Sequence, residues 1–175
     1  GSVAAHLGLV TRPLPGTKGV IAADQVAGAI RKGSMHNPHT AVVAIENTHN
    51  AEGGTVFPID EARAISKICR ENEVAVHLDG ARLFNAQAAT GVDASEWAAC
   101  VDTVSFCFSK GLGAPIGSMV CSSQAVIDEA RVLRGPRGDV DDVDGVEQLV
   151  LPHRVRSRPG RERRSPLGVD VVHRG

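Results

Sequence analysis

Val104-Ser105-Phe106-Cys107-Phe108-Ser109-Lys110-Gly111-Leu112-Gly113-Ala114-Pro115-Ile116-Gly117 is the stretch whose reading decides the fold. Its first half predicts a strand, because apolar, β-favouring residues alternate with small polar ones. At Ser109-Lys110 the pattern breaks into a loop with glycines at 111, 113 and 117 and a proline at 115. One lysine therefore sits where a buried strand stops. That setting predicts a partly desolvated amine, easier to keep neutral and nucleophilic, as imine formation with an aldehyde requires. A solvated lysine in a turn is the ordinary alternative. Upstream, Val74-Ala75-Val76-His77-Leu78-Asp79-Gly80-Ala81-Arg82 is a second apolar strand, and it ends in a carboxylate followed three residues later by a guanidinium.

Working outward, strands and helices alternate. Residues 3–10 predict a short strand and Asp24–Arg31 a helix ending before Gly33. Ala41–Ile45 is a continuous apolar run, expected of a strand buried on both faces. A helix begins at Pro58-Ile59-Asp60, with Asp60 as its N-cap, and Ala62, Ile65, Ile68 and Cys69 share one face. Helices are expected over 81–90 and 93–100, the second packing Trp97. A strand over 117–121 precedes a helix with Val126, Ala130 and Leu133 on one face. The class is α/β with a mostly parallel sheet. In such a sheet ligands bind beyond the C-terminal strand ends, and Glu46-Asn47, Asp79 and Lys110 all fall there.

The 175 residues can hold one domain with a sizeable core. A net charge of −1 gives no electrostatic steering toward nucleic acid or membranes, and no apolar run is long enough to span a bilayer. The four cysteines form no C-x-x-C pair, which predicts reduced thiols in a cytoplasmic protein. No cluster has metal-ligand spacing. Residues 135–175 are rich in Gly, Pro, Arg and Asp and predict a disordered tail. No G-x-G-x-x-G follows a first strand, which speaks against a dinucleotide-binding domain.

Three blocks together carry a family resemblance: Glu46-Asn47-Thr48-His49-Asn50, His77 to Ala86, and Ser105 to Ser118. In that order and spacing they resemble the low-specificity L-threonine aldolases, pyridoxal 5'-phosphate enzymes of the aspartate-aminotransferase fold. The resemblance runs to about Arg134. It implies that 1–134 is part of a three-layer cofactor-binding large domain. It implies that Lys110 links covalently to the cofactor, that Asp79 pairs with the protonated ring nitrogen, and that Arg82 and Asn47 reach the ring oxygen, Arg82 alternatively reaching the substrate carboxylate. His36 would approach the substrate hydroxyl as the base for aldol cleavage of L-threonine or L-allo-threonine to glycine and acetaldehyde. His77 is expected to pack beneath Asp79, and His49 is left without a role. The family's phosphate cradle and ring-stacking histidine would precede Gly1, and its small domain would stand where 135–175 stands. The chain is therefore read as an internal fragment, a homo-oligomer if completed. A non-catalytic fragment is the competing reading, and serine hydroxymethyl transfer or β-elimination would use the same Lys and Asp.

Overall fold

The computed structural model describes residues 7–134 and the two strands at 146–150 and 170–172. The elements are α1 (Ala23–Ala29), β1 (Thr40–Glu46), α2 (Ile59–Glu71), β2 (Ala75–Asp79), α3 (Leu83–Thr90), α4 (Ala94–Ala98), β3 (Thr103–Cys107), β4 (Ser118–Ser122), α5 (Gln124–Arg134), β5 (Val146–Val150) and β6 (Asp170–Val172). The sheet order is β5-β4-β3-β2-β1-β6. β1, β2 and β3 run parallel, β4 returns antiparallel to β3, and β5 and β6 add in parallel to β4 and β1. The expected α/β class with a mostly parallel sheet is what forms.

Side-chain alternation splits this sheet into two unlike faces. Val43, Ile45, Val76, Leu78 and Val104 join one buried cluster with Ala62, Ile65 and Cys69 of α2, Leu83 and Ala86 of α3, and Trp97 of α4. Those helices therefore lie on the same face. The opposite face carries Ala75, His77, Asp79, Thr103, Ser105 and Cys107, all half-buried. β1 is buried on both faces over its C-terminal half, with Val43 and Ile45 on one side and Ala44 on the other, whereas Ala41 and Val42 near its start are half-buried.

Several boundaries differ from expectation for local reasons. Residues 8–10 form no strand, and residues 3–6 of that prediction lie outside the described residues. The cap of α2 is Pro58, with no side-chain bond; Asp60 and Glu61 sit in the first turn, where they act on the helix dipole. Helix α3 starts at Leu83 rather than at 81, because residues 79–82 are spent on a turn, and it ends on left-handed Gly91. In α5 the buried residue is Ile127 at 0 % exposure, whereas Val126 is 41 % exposed. β5 and β6 arise within 135–175, the segment expected to be a disordered tail; the rest of that expectation lies outside the described residues. No described helix is long and apolar enough to cross a membrane.

Candidate active site

The C-terminal ends of β1 and β2 are level, and β3 runs on past them to Cys107. Glu46 is the register partner of Asp79, and Asp79 of Ser105. Two backbone bonds carry the ladder one step past the strand ends: the Asn47 amide donates to the Asp79 carbonyl at 2.9 Å, and the Gly80 amide to the Ser105 carbonyl at 2.7 Å. Glycine is required at 80 by this crossing, since a Cβ there would stand 2.9 Å from the Ser105 oxygen. The chain can then turn sharply out of β2 and leave Asp79 at the rim.

Asp79 is half-buried, and its Oδ1 accepts the Ala81 amide at 3.1 Å. This is an Asx turn, which fixes the carboxylate and leaves Oδ2 without a bond among the described residues. It is not the cap of α3, where Arg82 holds the N-cap position without a side-chain bond. Two residues back on the same face, His77 Nδ1 lies 2.7 Å from the Thr103 hydroxyl. The Arg82 side chain is half-buried and shows no hydrogen bond or ion pair among the described residues.

Asn47 is fully buried at 0 % exposure. Its Oδ1 accepts the Phe57 amide at 3.1 Å, and the Phe57 carbonyl in turn accepts the Trp97 indole N–H at 3.1 Å. Its Nδ2 is buried with no acceptor among the described residues. Leaving such a donor unmade costs on the order of 1–3 kcal/mol. On the neighbouring strand ends, a carboxylate with one oxygen free and a buried amide donor without an acceptor among the described residues fit the chemistry of a ring with a basic nitrogen and an anionic oxygen. These residues therefore suit pyridoxal phosphate.

Lys110 follows β3 in a loop closed by the Phe108 amide on the Gly117 carbonyl at 2.9 Å and the Ala114 amide on the Phe108 carbonyl at 3.0 Å. The loop rests on α3: a Cβ at Gly111 would overlap the Asn85 side chain, and Phe84, Phe106 and Phe108 stack edge to face in succession with centroids 5.3 Å apart. Contrary to expectation, Lys110 is exposed rather than partly desolvated, because the loop leaves the sheet at Ser109 and carries the side chain into solvent. Leu112 and Ile116 on the same loop are also exposed.

His36 is not brought to this group. It is exposed, in the loop that enters β1 at Thr40, while the others follow the C-terminal strand ends. Seven residues of strand put about 20 Å between the two edges. The sequence carried the signal, since His36 precedes its strand and the other candidates follow theirs. Conversely, sequence reasoning did not find the Phe57–Trp97 support beneath Asn47, or the buried pairing of His49 with Glu46, Nε2 to Oε2 at 3.3 Å.

The sequence model of the Beta-eliminating lyase family matches residues 1–146. A low-specificity L-threonine aldolase of Candida albicans is 44 % identical over 123 residues, 70 % of this chain and 32 % of that protein. The low specificity L-threonine aldolase of Escherichia coli K12 is 37 % identical over 112 residues, 64 % of this chain and 33 % of its own length. Among solved structures, a putative L-allo-threonine aldolase from Listeria monocytogenes superposes with a TM-score of 0.64 at 28 % identity, covering 78 % of this chain and 36 % of the other. The chain spans about a third of the length of the curated relatives it matches.

Proposed function

Because this chain belongs to the beta-eliminating lyase family, we propose that it carries the ring-binding part of a pyridoxal-phosphate site for aldol cleavage of L-threonine or L-allo-threonine to glycine and acetaldehyde. The observation that carries the reading is the level rim of β1 and β2, where the Asn47 amide bonds the Asp79 carbonyl, the Asp79 carboxylate keeps one oxygen free among the described residues, and Asn47 Nδ2 is buried without an acceptor there. The cofactor, when bound, supplies an electron sink for negative charge at the substrate α-carbon.

Asp79 holds a proton at the ring nitrogen: a carboxylate beside a protonated base favours the charged form. Asn47 donates its remaining N–H to the ring oxygen, which satisfies the buried amide. Arg82 offers a guanidinium without a counter-charge, suited to the ring oxygen or the substrate carboxylate. Lys110 is the point of covalent attachment. Its exposed loop lets the amine swing toward the β2–β3 rim, and closure over the site would desolvate it. His36 remains the candidate base for the substrate hydroxyl only in an assembly where a second copy presents it, because the sheet separates it from this rim. Oligomerisation and a cytoplasmic location belong to the same proposal.

The test is the visible spectrum of the purified chain with pyridoxal phosphate, before and after borohydride, with Lys110→Ala alongside. A band that borohydride fixes, and that the variant lacks, is expected. No band, or the same band in both, would sink the reading and favour a non-catalytic fragment. Where the band forms, acetaldehyde released from threonine separates aldol cleavage from hydroxymethyl transfer and β-elimination.

A further inference from the structure

His49 lies in the loop leaving β1, where histidines are ordinarily wet, yet it is only 3 % exposed. Its ring is held on three sides. The Glu52 amide donates to Nδ1 at 3.2 Å, so the ring proton sits on Nε2. Nε2 faces Glu46 Oε2 at 3.3 Å, while Glu46 Oε1 accepts the Asn50 amide at 3.0 Å. Gly19, at φ +90°, lies so close that a Cβ there would come within 2.6 Å of the ring. The His49 backbone closes the loop further: its amide donates to the Thr55 carbonyl at 2.8 Å, and its carbonyl accepts the Gly54 amide at 2.9 Å.

Asn47 sits between Glu46 and His49 in the chain and inherits this fixation. Its amide is committed to Asp79 and its Oδ1 to Phe57, so only Nδ2 is left to donate. Glu46, meanwhile, is the register partner of Asp79, which puts two carboxylate residues side by side at one rim. The Asn50 amide bonds one Glu46 oxygen and the His49 ring pairs with the other, so both oxygens are engaged by the loop. One carboxylate, Asp79, is then left to meet a ring nitrogen.

We propose that His49, acting through Glu46, is a positioning residue that fixes the aim of Asn47 Nδ2 and keeps Glu46 out of the ring-nitrogen position. The role for the cofactor rests on the functional reading above; the fixation of Asn47 does not. The discriminating measurement is amide hydrogen exchange in the chain without cofactor, for His49→Ala and, should that variant fold poorly, Glu46→Gln. Exchange at Asn47 and Phe57 should quicken about tenfold relative to Ile45 and Leu78, the loss expected for one charge-assisted hydrogen bond. Pyridoxal-phosphate binding should weaken by a similar factor. The double variant should lose no more than either single one, because the two residues act as one unit. His49→Gln, which keeps an N–H at the position of Nε2, should recover most of both losses. The proposal is overturned if Asn47 and Phe57 change only in step with Ile45 and Leu78, or if binding is unchanged while those two amides open. A parent chain that forms no borohydride-fixed band would instead sink the functional reading, and the exchange result would still decide the fixation.

Discussion

At the scale of single residues, burial decides which groups are available for chemistry. Desolvation pushes the Cys69 thiol up to about 12, with the Asp102 charge adding to it, and burial also raises Cys100. Both stay protonated at neutral pH and cannot act as nucleophiles. Cys107 lies on the half-buried face of the sheet. Alkylation with iodoacetamide at pH 8, followed by peptide mass spectrometry, should therefore label Cys107 first and leave Cys69 for last. Equal labelling of the two in the folded chain would contradict this ordering. Asp79 and Asn47 were legible as site candidates because each ends an apolar run, and chain order alone places such residues at strand ends. The solvation of Lys110 was not legible. Whether a residue just past a strand is covered depends on which way the loop turns, and neighbours far away in sequence set that.

At the scale of elements, the helices show where a local pattern suffices and where it does not. Asp93 caps α4, its Oδ1 accepting the Ser95 amide at 2.8 Å. Hydrogen bonding by the Ser95 side chain first, and by its amide second, holds the Asp93 carboxyl below the usual range. A depressed folded value means that the cap stabilises above the ordinary carboxylate pKa of about 3.9, and that this contribution is lost as pH falls through the folded value. Asp93→Ser keeps a capping oxygen that does not titrate. It should flatten the acid side of the stability–pH curve in urea titrations while leaving neutral stability nearly unchanged. Helix α5 makes the opposite point. Val126 and Ile127 are adjacent and both apolar, and periodicity assigned the face to Val126, yet Ile127 is the one buried. Ile127→Ala should cost about 2–5 kcal/mol by urea denaturation. Val126→Ala should stay within about 0.5 kcal/mol. A helix of 11 residues with mixed apolar positions can rotate by one residue at little local cost, so packing against the sheet sets its phase.

At the scale of the whole molecule, among the described residues one sheet face is covered by helices and the other carries mostly half-buried polar and small residues, and the candidate site lies at the C-terminal rim of the strands. Binding of pyridoxal phosphate to the folded chain alone must stabilise it by linkage. At a free concentration about a hundred times its dissociation constant, the gain is about 2.7 kcal/mol. Thermal melts should shift upward accordingly, and less in Lys110→Ala; no shift in the parent chain would mean that the rim does not hold the cofactor. The edge strands Val146–Val150 and Asp170–Val172 could not be read from a segment of charged runs and prolines, because their pairing is with β4 and β1 rather than with each other. By itself, the sequence determined the alternation of strands and helices, the α/β class and the three strand-end motifs. Those follow from side-chain periodicity and from turn residues acting within a few positions. Only the tertiary structure decided that Glu46, Asp79 and Ser105 stand level, that His49 is buried against Glu46, that Lys110 is exposed, and that His36 stands at the far edge of the sheet. Register, face and depth come from packing between segments distant along the chain, and no local pattern encodes that.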